Sequence, residues 1–182
     1  MARARTPRQS WIDEGLRVLA TGGPDAVRVE ALAKNLGVTK GGFYGFFADR
    51  PALLDAMLDS WETSSIDDVL LKVEREGGDL ISQAVRARDL TFAEDLLPID
   101  LAIRDWARRD ATVAARLQRV DSRRMDLLRK AIGSICSDPI EVEARSTLAM
   151  YSTIGAHFAT VDHGDLDQTA VNALVADLVL GR

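Results

Sequence analysis

The chain has 182 residues, of which 47% are hydrophobic and 28% charged, an ordinary globular composition that excludes a disordered chain. This length supports one sizeable core or two small ones, and it excludes several independent domains. No stretch approaches the roughly 18 apolar residues of a membrane span, and the N-terminus lacks the apolar segment of a secretory signal, so we expect a cytoplasmic protein without a membrane partner. The single cysteine, Cys136, excludes an intramolecular disulfide and a thiolate metal cluster.

The net charge of −5 is divided unevenly along the chain. Residues 1–50 hold eight Lys and Arg against five Asp and Glu, a net charge of +3, and the remainder carries −8. A mildly basic head before an acidic body indicates two functional units. The alternative, that a surplus of three charges has no functional meaning, stays open until a motif decides.

The pattern of apolar residues predicts an all-α fold. They recur at helical spacing along the whole chain, and no alternating run of β-branched residues is long enough for a strand. The first helix is predicted over residues 8–21 and ends at two glycines. A second helix of barely two turns follows around Leu32 and ends at a tight break at Gly37.

Two further helices complete the N-terminal part. The third is predicted over residues 39–47, with Thr39 as its N-cap. The fourth begins after the capping residue Asp49, tolerates a proline in its first turn, and is predicted to extend to about residue 76.

The remainder is predicted to be a helical bundle. Helix starts are expected at Asp79, Pro98 and Asp110, and the clearest cap is Asp138, which is followed by Pro and, three positions on, by Glu. That helix is predicted to extend to about residue 160, and Asp165 is predicted to open the last helix.

Residues 31–47, ALAKNLGVTKGGFYGFF, have the pattern of a helix-turn-helix. Ala33 is small enough to let two helices cross closely, and Gly37 permits the sharp turn between them. Gly41 and Gly42 each cost a helix about 1 kcal/mol relative to Ala. That cost is easier to explain if this face lies close to another surface. The alternative is a plain helical hairpin.

Residues 8–61 resemble the DNA-binding domain of the TetR family of transcriptional regulators. The matching positions are Leu32-Ala33, Leu36-Gly37-Val38, Lys40-Gly41, Phe43-Tyr44, Phe47, Asp49-Arg50 and Leu53-Leu54. The resemblance implies a three-helix helix-turn-helix domain over residues 1–55. A helical ligand-sensing and dimerisation domain would follow over residues 56–182, which match the family only in outline.

The resemblance implies a homodimer that binds double-stranded operator DNA. The function it implies is that of a repressor, released when a small apolar or amphipathic ligand enters the C-terminal bundle. A DNA-binding regulator controlled by a protein partner, or acting as an activator, is the alternative. The sequence contains no motif with the residue spacing of a catalytic, cofactor-binding or metal-binding site. Pairs of adjacent acidic residues are interpreted as solvated surface, so we expect no enzymatic activity, cofactor or metal.

The resemblance also implies which residues contact DNA. By position they are Arg28, Thr39, Lys40, Gly41, Tyr44 and Arg50. Thr39 would cap the recognition helix and reach a phosphate, Lys40 and Gly41 would face base edges, and Tyr44 would meet the backbone or a thymine methyl. Arg50 would hold a phosphate from the start of the fourth helix.

Some positions depart from the family pattern. Arg28 stands where Ser or Thr is usual, so the cap of the second helix is in doubt, and Gly45 stands where a larger polar residue is common. Glu30 occupies a position that often holds a base-contacting Arg, and an acidic side chain there reads cytosine or nothing. Arg3, Arg5 and Arg8 form either an arm that follows the DNA or a solvated tail.

The C-terminal part offers weaker indications of a site. Residues predicted to line a ligand pocket are Phe92, Leu96, Leu97, Ile103, Trp106 and Tyr151, with core packing as the alternative for each. Small residues in the helix at about 139–160 and apolar residues in the helix at about 166–180 predict a four-helix dimer interface. His157 is expected to be buried or at that interface. Cys136 is only a weak candidate for a redox sensor.

Overall fold

A computed structural model describes residues 7–181. Over these residues the chain is helical and contains no strand, so the predicted all-α class is confirmed. The α-helices in chain order are α1 (Arg8–Gly22), α2 (Val29–Asn35), α3 (Arg50–Glu62), α4 (Asp68–Glu76), α5 (Leu80–Thr91), α6 (Leu97–Ala107), α7 (Ala111–Gly133), α8 (Pro139–Gly155) and α9 (Gln168–Leu180). No helix among the described residues is both long enough and apolar enough to cross a membrane.

The contacts divide the chain into two compact units. One unit runs to Leu71 and resumes over Leu90–Val120, and the other holds Lys72–Asp89 and Asp121–Arg182. The predicted domain boundary near residue 55 stays a prediction.

The first unit has an apolar core built around α1. Trp11 and Leu19 on this helix are fully buried, and α1 packs against both α3 and α6. Gly15 permits the close approach of α3, since a Cβ at this position would lie 2.6 Å from the sulfur of Met57. The predicted apolar face of the first helix is therefore confirmed as core.

The segment predicted as the third helix forms a 3₁₀ turn instead. This recognition turn, Lys40–Gly45, contains three glycines in six residues, a composition that opposes a longer α-helix. The prediction of an α-helix over residues 39–47 was wrong. Phe43 is nevertheless fully buried, so the turn is fixed to the core at its centre.

The fourth predicted helix is interrupted. It forms α3, then a π-helical turn over Thr63–Asp67, then α4. Thr and Ser at the turn are weaker helix formers than the residues before them, and a π-turn inserts one residue without ending the helix. The prediction of one helix from Asp49 to about residue 76 was therefore right about its ends, but the turn at its middle is π-helical rather than α-helical.

Aspartate side chains cap helices at both ends of the chain. Asp49 accepts a hydrogen bond from the Ala52 amide at 2.8 Å, and Asp138 accepts from Ile140 and Glu141 at 2.8 and 2.9 Å, as predicted. Two other boundaries were wrong. The helix after Asp138 ends at Gly155 rather than at residue 160, and Asp167, not Asp165, caps the last helix.

The second unit leaves its last helices exposed. α8 and α9 contact each other, but none of the thirteen residues of α9 is buried. The large apolar side chains that α8 and α9 expose are Ile140, Leu148, Tyr151, Leu174, Val175 and Leu178.

Candidate DNA-binding surface

The recognition turn is held from beneath by aromatic rings. Phe43 lies edge-on to Trp11, with 5.4 Å between the ring centroids, and stacks on Phe47 at 5.2 Å. Tyr44 lies edge-on to Phe43 at 5.3 Å, and 55% of Tyr44 is exposed. The turn therefore presents Tyr44 outward from a rigid base.

The two glycines that follow Lys40 are not required by packing within the chain. A Cβ at Gly41 would meet no atom closer than the Thr39 hydroxyl at 3.8 Å, and a Cβ at Gly42 would lie 3.9 Å from Trp11. Neither glycine has a positive φ, so neither is required by the backbone conformation. The bare backbone here suits the close approach of an outside surface.

Lys40 is paired with Glu30 of α2. The ammonium nitrogen of Lys40 donates a hydrogen bond to Glu30 Oε1, although both side chains are largely exposed. The pair lowers the pKa of Glu30 and raises the pKa of Lys40, to which the nearby Tyr44 hydroxyl adds a smaller contribution. Both groups therefore stay charged near neutral pH.

Neither Thr39, which was predicted to be a cap, nor Arg28, whose cap was in doubt, caps a helix with its side chain. Thr39 has extended backbone dihedrals and makes no side-chain cap hydrogen bond, so the prediction that it caps the recognition helix was wrong. Arg28 precedes α2 without capping it by its side chain, and its Nε donates to the Asp25 carbonyl at 3.2 Å. Their predicted contacts with phosphate stay predictions.

Arg50 lies at the start of α3 and ties that helix to the chain before α2. Its Nε donates to the Val27 carbonyl at 2.6 Å, and its Nη2 donates to the carbonyl of Pro24. This arrangement fixes the position of α3 relative to the helix-turn-helix. A phosphate contact by Arg50 remains a prediction, and it would use the part of the guanidinium that these bonds leave.

Arg8 is the only residue of the predicted basic arm that the structure describes. Its guanidinium lies over the Phe47 ring, 5.0 Å from the centroid. Arg3 and Arg5 lie outside the described residues.

An ion-pair network on the outer face of α3 was missed by sequence reasoning. Arg116 of α7 donates to Asp59 at 2.6 Å and to Glu62 at 2.8 Å, and Arg119 also contacts Glu62. Burial alone would lower the pKa of Arg116, but these hydrogen bonds outweigh it and raise the pKa. The partners are more than 50 residues apart, so no local spacing indicates them.

The six predicted ligand-lining residues lie in different surroundings. Ile103 and Trp106 are buried in the core that contains Trp11, whereas Tyr151 is 70% exposed on α8. Phe92, Leu96 and Leu97 are half-buried. An open cleft of about 400 Å³ lies elsewhere, with polar residues of α1, α3 and the π-turn along most of its wall. Pocket-lining roles for the six residues stay predictions.

The remaining candidate side chains form no recognisable chemical centre. Across residues 7–181, no group of three His, Cys, Asp or Glu side chains is arranged to hold a metal ion. His157 is exposed in the single chain, where burial or an interface was expected, and the Cys136 thiol is half-buried.

The comparison with known proteins begins with the N-terminal segment. Residues 12–57 match the family model described as bacterial regulatory proteins, tetR family. No curated protein sequence matches the chain.

Three solved structures share the fold over nearly the whole chain. A transcriptional regulator from Rhodococcus sp. superposes with a TM-score of 0.68 and 18% identity, over 97% of this chain and 95% of that one. The ketosteroid transcriptional regulator of Mycobacterium tuberculosis gives 0.64 and 17%, over 98% and 95%. The fatty acid degradation regulator from Bacillus halodurans gives 0.62 and 18%, over 98% and 97%.

The segment that matches the family model includes α1, α2, the recognition turn and the first half of α3, which together form the helix-turn-helix head. The fold beyond this head, a helical C-terminal part, is shared with the solved regulators. Regulators of this kind bind operator DNA, typically as dimers. The N-terminal segment of the chain therefore matches the tetR family of bacterial regulatory proteins, and the chain as a whole has the fold of solved transcriptional regulators.

Proposed function

We propose that the protein is a homodimeric repressor that leaves its operator when a small apolar or amphipathic ligand binds the C-terminal bundle. The observation that carries the DNA-binding part is the recognition turn, where Lys40 and Tyr44 flank a backbone without side chains at Gly41 and Gly42. Phosphate contacts from Arg28, Thr39 and Arg50 would position this surface on the duplex.

The dimer is proposed from the last two helices. α9 contains a single charged residue, Asp177, yet buries none of its side chains within the chain. An apolar helix of this kind gains stability when a second copy covers it, because exposed apolar surface costs about 25 cal/mol per Å². Two copies joined through α8 and α9 would carry two heads, as a palindromic operator requires.

The effector is proposed from the names of two structural relatives. They are a ketosteroid regulator and a fatty acid degradation regulator, and these words name an apolar and an amphipathic class of molecule. The half-buried Phe92, Leu96 and Leu97 are of suitable character to meet such a ligand. Regulation by a protein partner, or activation in place of repression, is the second candidate. As a transcriptional regulator that binds operator DNA, the protein would act in the cytoplasm.

Substitution at Gly41 and Tyr44 tests the DNA-binding surface. We expect Gly41→Ala to weaken operator binding by about 10-fold or more without loss of stability, because its Cβ has room within the chain and none against DNA. Tyr44→Ala should abolish binding and leave the dimer intact. Gel shifts on a duplex selected from random DNA measure both effects. Ala115→Ser, a comparably small change at an exposed position of α7 away from the head and from α8 and α9, is the control. Wild-type affinity in both head variants would contradict the assignment.

A thermal-shift screen tests the effector. A steroid or fatty acyl ligand present at 100 times its dissociation constant should add about 2.7 kcal/mol of stability and release the selected duplex. A protein that responds to no small molecule, but is released by a protein fraction, would favour the second candidate.

A further inference from the structure

The paired charges Lys40 and Glu30 lie on the surface proposed to face DNA. Glu30 is in the first turn of α2 and Lys40 is the first residue of the recognition turn, so two elements of the helix-turn-helix supply one donor and one acceptor. Their side chains touch, and about half of Lys40 and two thirds of Glu30 remain exposed. Because the Tyr44 hydroxyl also contacts the ammonium group, at least one ammonium hydrogen and the second carboxylate oxygen keep capacity for an outside partner.

We propose that this pair reads one G·C base pair in each half-site, with Lys40 donating to guanine and Glu30 accepting from cytosine. Glu30 is then a specificity-determining residue, and the inference depends on the proposed DNA-binding surface. A G·C pair presents O6 and N7 of guanine as acceptors in the major groove, next to the N4 amino donor of cytosine. A lysine in contact with a carboxylate presents the complementary donor and acceptor side by side.

The other base pair fits this arrangement less well. An A·T pair also sets a donor beside an acceptor, but adenine N7 lies next to the amino group and would repel the carboxylate. The thymine methyl group lies next to O4 and would obstruct the ammonium group. The pair therefore discriminates by charge and by shape, and it does so although the recognition turn has few other side chains that reach a base.

The charge states support this assignment. The contact keeps Glu30 ionised and Lys40 protonated, since the pKa of Glu30 is lowered and the pKa of Lys40 is raised by their mutual hydrogen bond. Glu30 therefore acts only as an acceptor near neutral pH, which suits an amino group and opposes a phosphate or a carbonyl.

The test begins with selection of duplexes from a random double-stranded library by the full-length protein. Wild type, Glu30→Ala and Lys40→Ala are compared with Asp105→Ala. Asp105 of α6 forms an exposed ion pair with Arg109, and loss of Asp105 changes the net charge by the same amount as loss of Glu30. Thermal melts verify that the exposed substitutions leave the fold intact.

We expect wild type and Asp105→Ala to share a conserved G·C position in each half-site. In Lys40→Ala the preference of about 5-fold to 150-fold for guanine should fall close to 1, and Glu30→Ala should lose the part of the preference that the cytosine contact supplies. N4-methylcytosine at this position, which replaces the hydrogen that Glu30 accepts, should weaken wild type and leave Glu30→Ala unchanged. Inosine in place of guanine keeps the major-groove edge and should have little effect.

The opposite result is equally clear. If Glu30→Ala keeps every base preference and binds all duplexes more tightly, Glu30 only neutralises Lys40 and the inference is overturned. If wild type selects no sequence at all, the proposed DNA-binding surface is wrong, and the inference that depends on it is overturned as well.

Discussion

The helix-turn-helix head buries its large apolar side chains, whereas the last two helices leave many of theirs exposed. In the head, Trp11, Phe43 and Leu53 are fully buried, and the outer surface presents polar side chains and bare glycine backbone. In α9 no residue is buried, and Leu174 and Leu178 are each at least 60% exposed. The head completes its core within one chain, whereas α9 leaves its apolar side chains exposed. If a second chain covers α9 as proposed, a mutation of the head should abolish DNA binding and leave the dimer intact.

The largest expected effect is in the head. Trp11→Ala should lower the free energy of unfolding by about 3 to 5 kcal/mol, since it removes a fully buried ring that contacts Phe43. Urea unfolding at fixed protein concentration measures the change. The matched aromatic control is Tyr151→Phe on α8, which keeps the exposed ring and should change stability by less than about 0.5 kcal/mol. Equal losses in the two variants would contradict the difference between the buried core of the head and the exposed surface of α8.

The next effect concerns association. Leu178→Asp should raise the dimer dissociation constant by at least about 100-fold, because each dimer loses two buried leucines worth about 1.5 to 3 kcal/mol apiece and gains two buried charges. Sedimentation across a concentration series measures it. Leu71→Asp is the control, because Leu71 is an exposed leucine like Leu178 but lies on α4. Dissociation by Leu71→Asp and not by Leu178→Asp would move the interface away from α9.

A smaller effect is expected where Arg116 contacts α3. Arg116→Ala should cost about 1 to 2 kcal/mol, because it leaves the half-buried Glu62 without this donor, and the loss should shrink as salt is added. Thermal unfolding at two salt concentrations is the measurement. Arg109→Ala, which breaks an exposed pair with Asp105, should cost less than about 0.5 kcal/mol. Similar losses for both arginines would mean that the contact with α3 adds no stability.

The smallest effect separates two caps within the head. Asp49→Ala should cost about 1 kcal/mol because Asp49 accepts from the Ala52 amide, whereas Thr39→Ala should cost less than about 0.5 kcal/mol because Thr39 makes no cap bond. Urea midpoints distinguish the two variants. A larger loss for Thr39→Ala would mean that its hydroxyl caps the recognition turn in solution.

Local patterns were sufficient to predict most of the fold. The apolar spacing on α1 and the Asp-Pro start of α8 each follow from neighbours within one or two turns, and both were confirmed. The recognition turn was not predicted as a 3₁₀ turn, although its three glycines oppose an α-helix, because Phe43 and Phe46 are three positions apart and this spacing fits both conformations. The π-turn before α4 was also not predicted, because the spacing of apolar residues along a helix does not reveal one inserted residue.

The candidate site was less accessible from the sequence. The resemblance to the TetR family supplied the six positions predicted to contact DNA, but it did not indicate that Lys40 is paired with Glu30 or that Arg50 is bonded to backbone carbonyls. Both contacts cross between separate elements, over 10 and 23 residues, and depend on the angle at which those elements meet. Such contacts require the folded structure.

In the proposed dimer, the head binds operator DNA tightly only when α8 and α9 join two chains. The most direct measurement is the stoichiometry of the complex on a selected operator duplex, determined by sedimentation for wild type and Leu178→Asp. We expect two wild-type chains per duplex with cooperative binding, and a loss of affinity of at least about 100-fold for the variant. One chain per duplex at wild-type affinity, or full binding by a monomeric variant, would contradict the proposed role of the dimer in DNA binding.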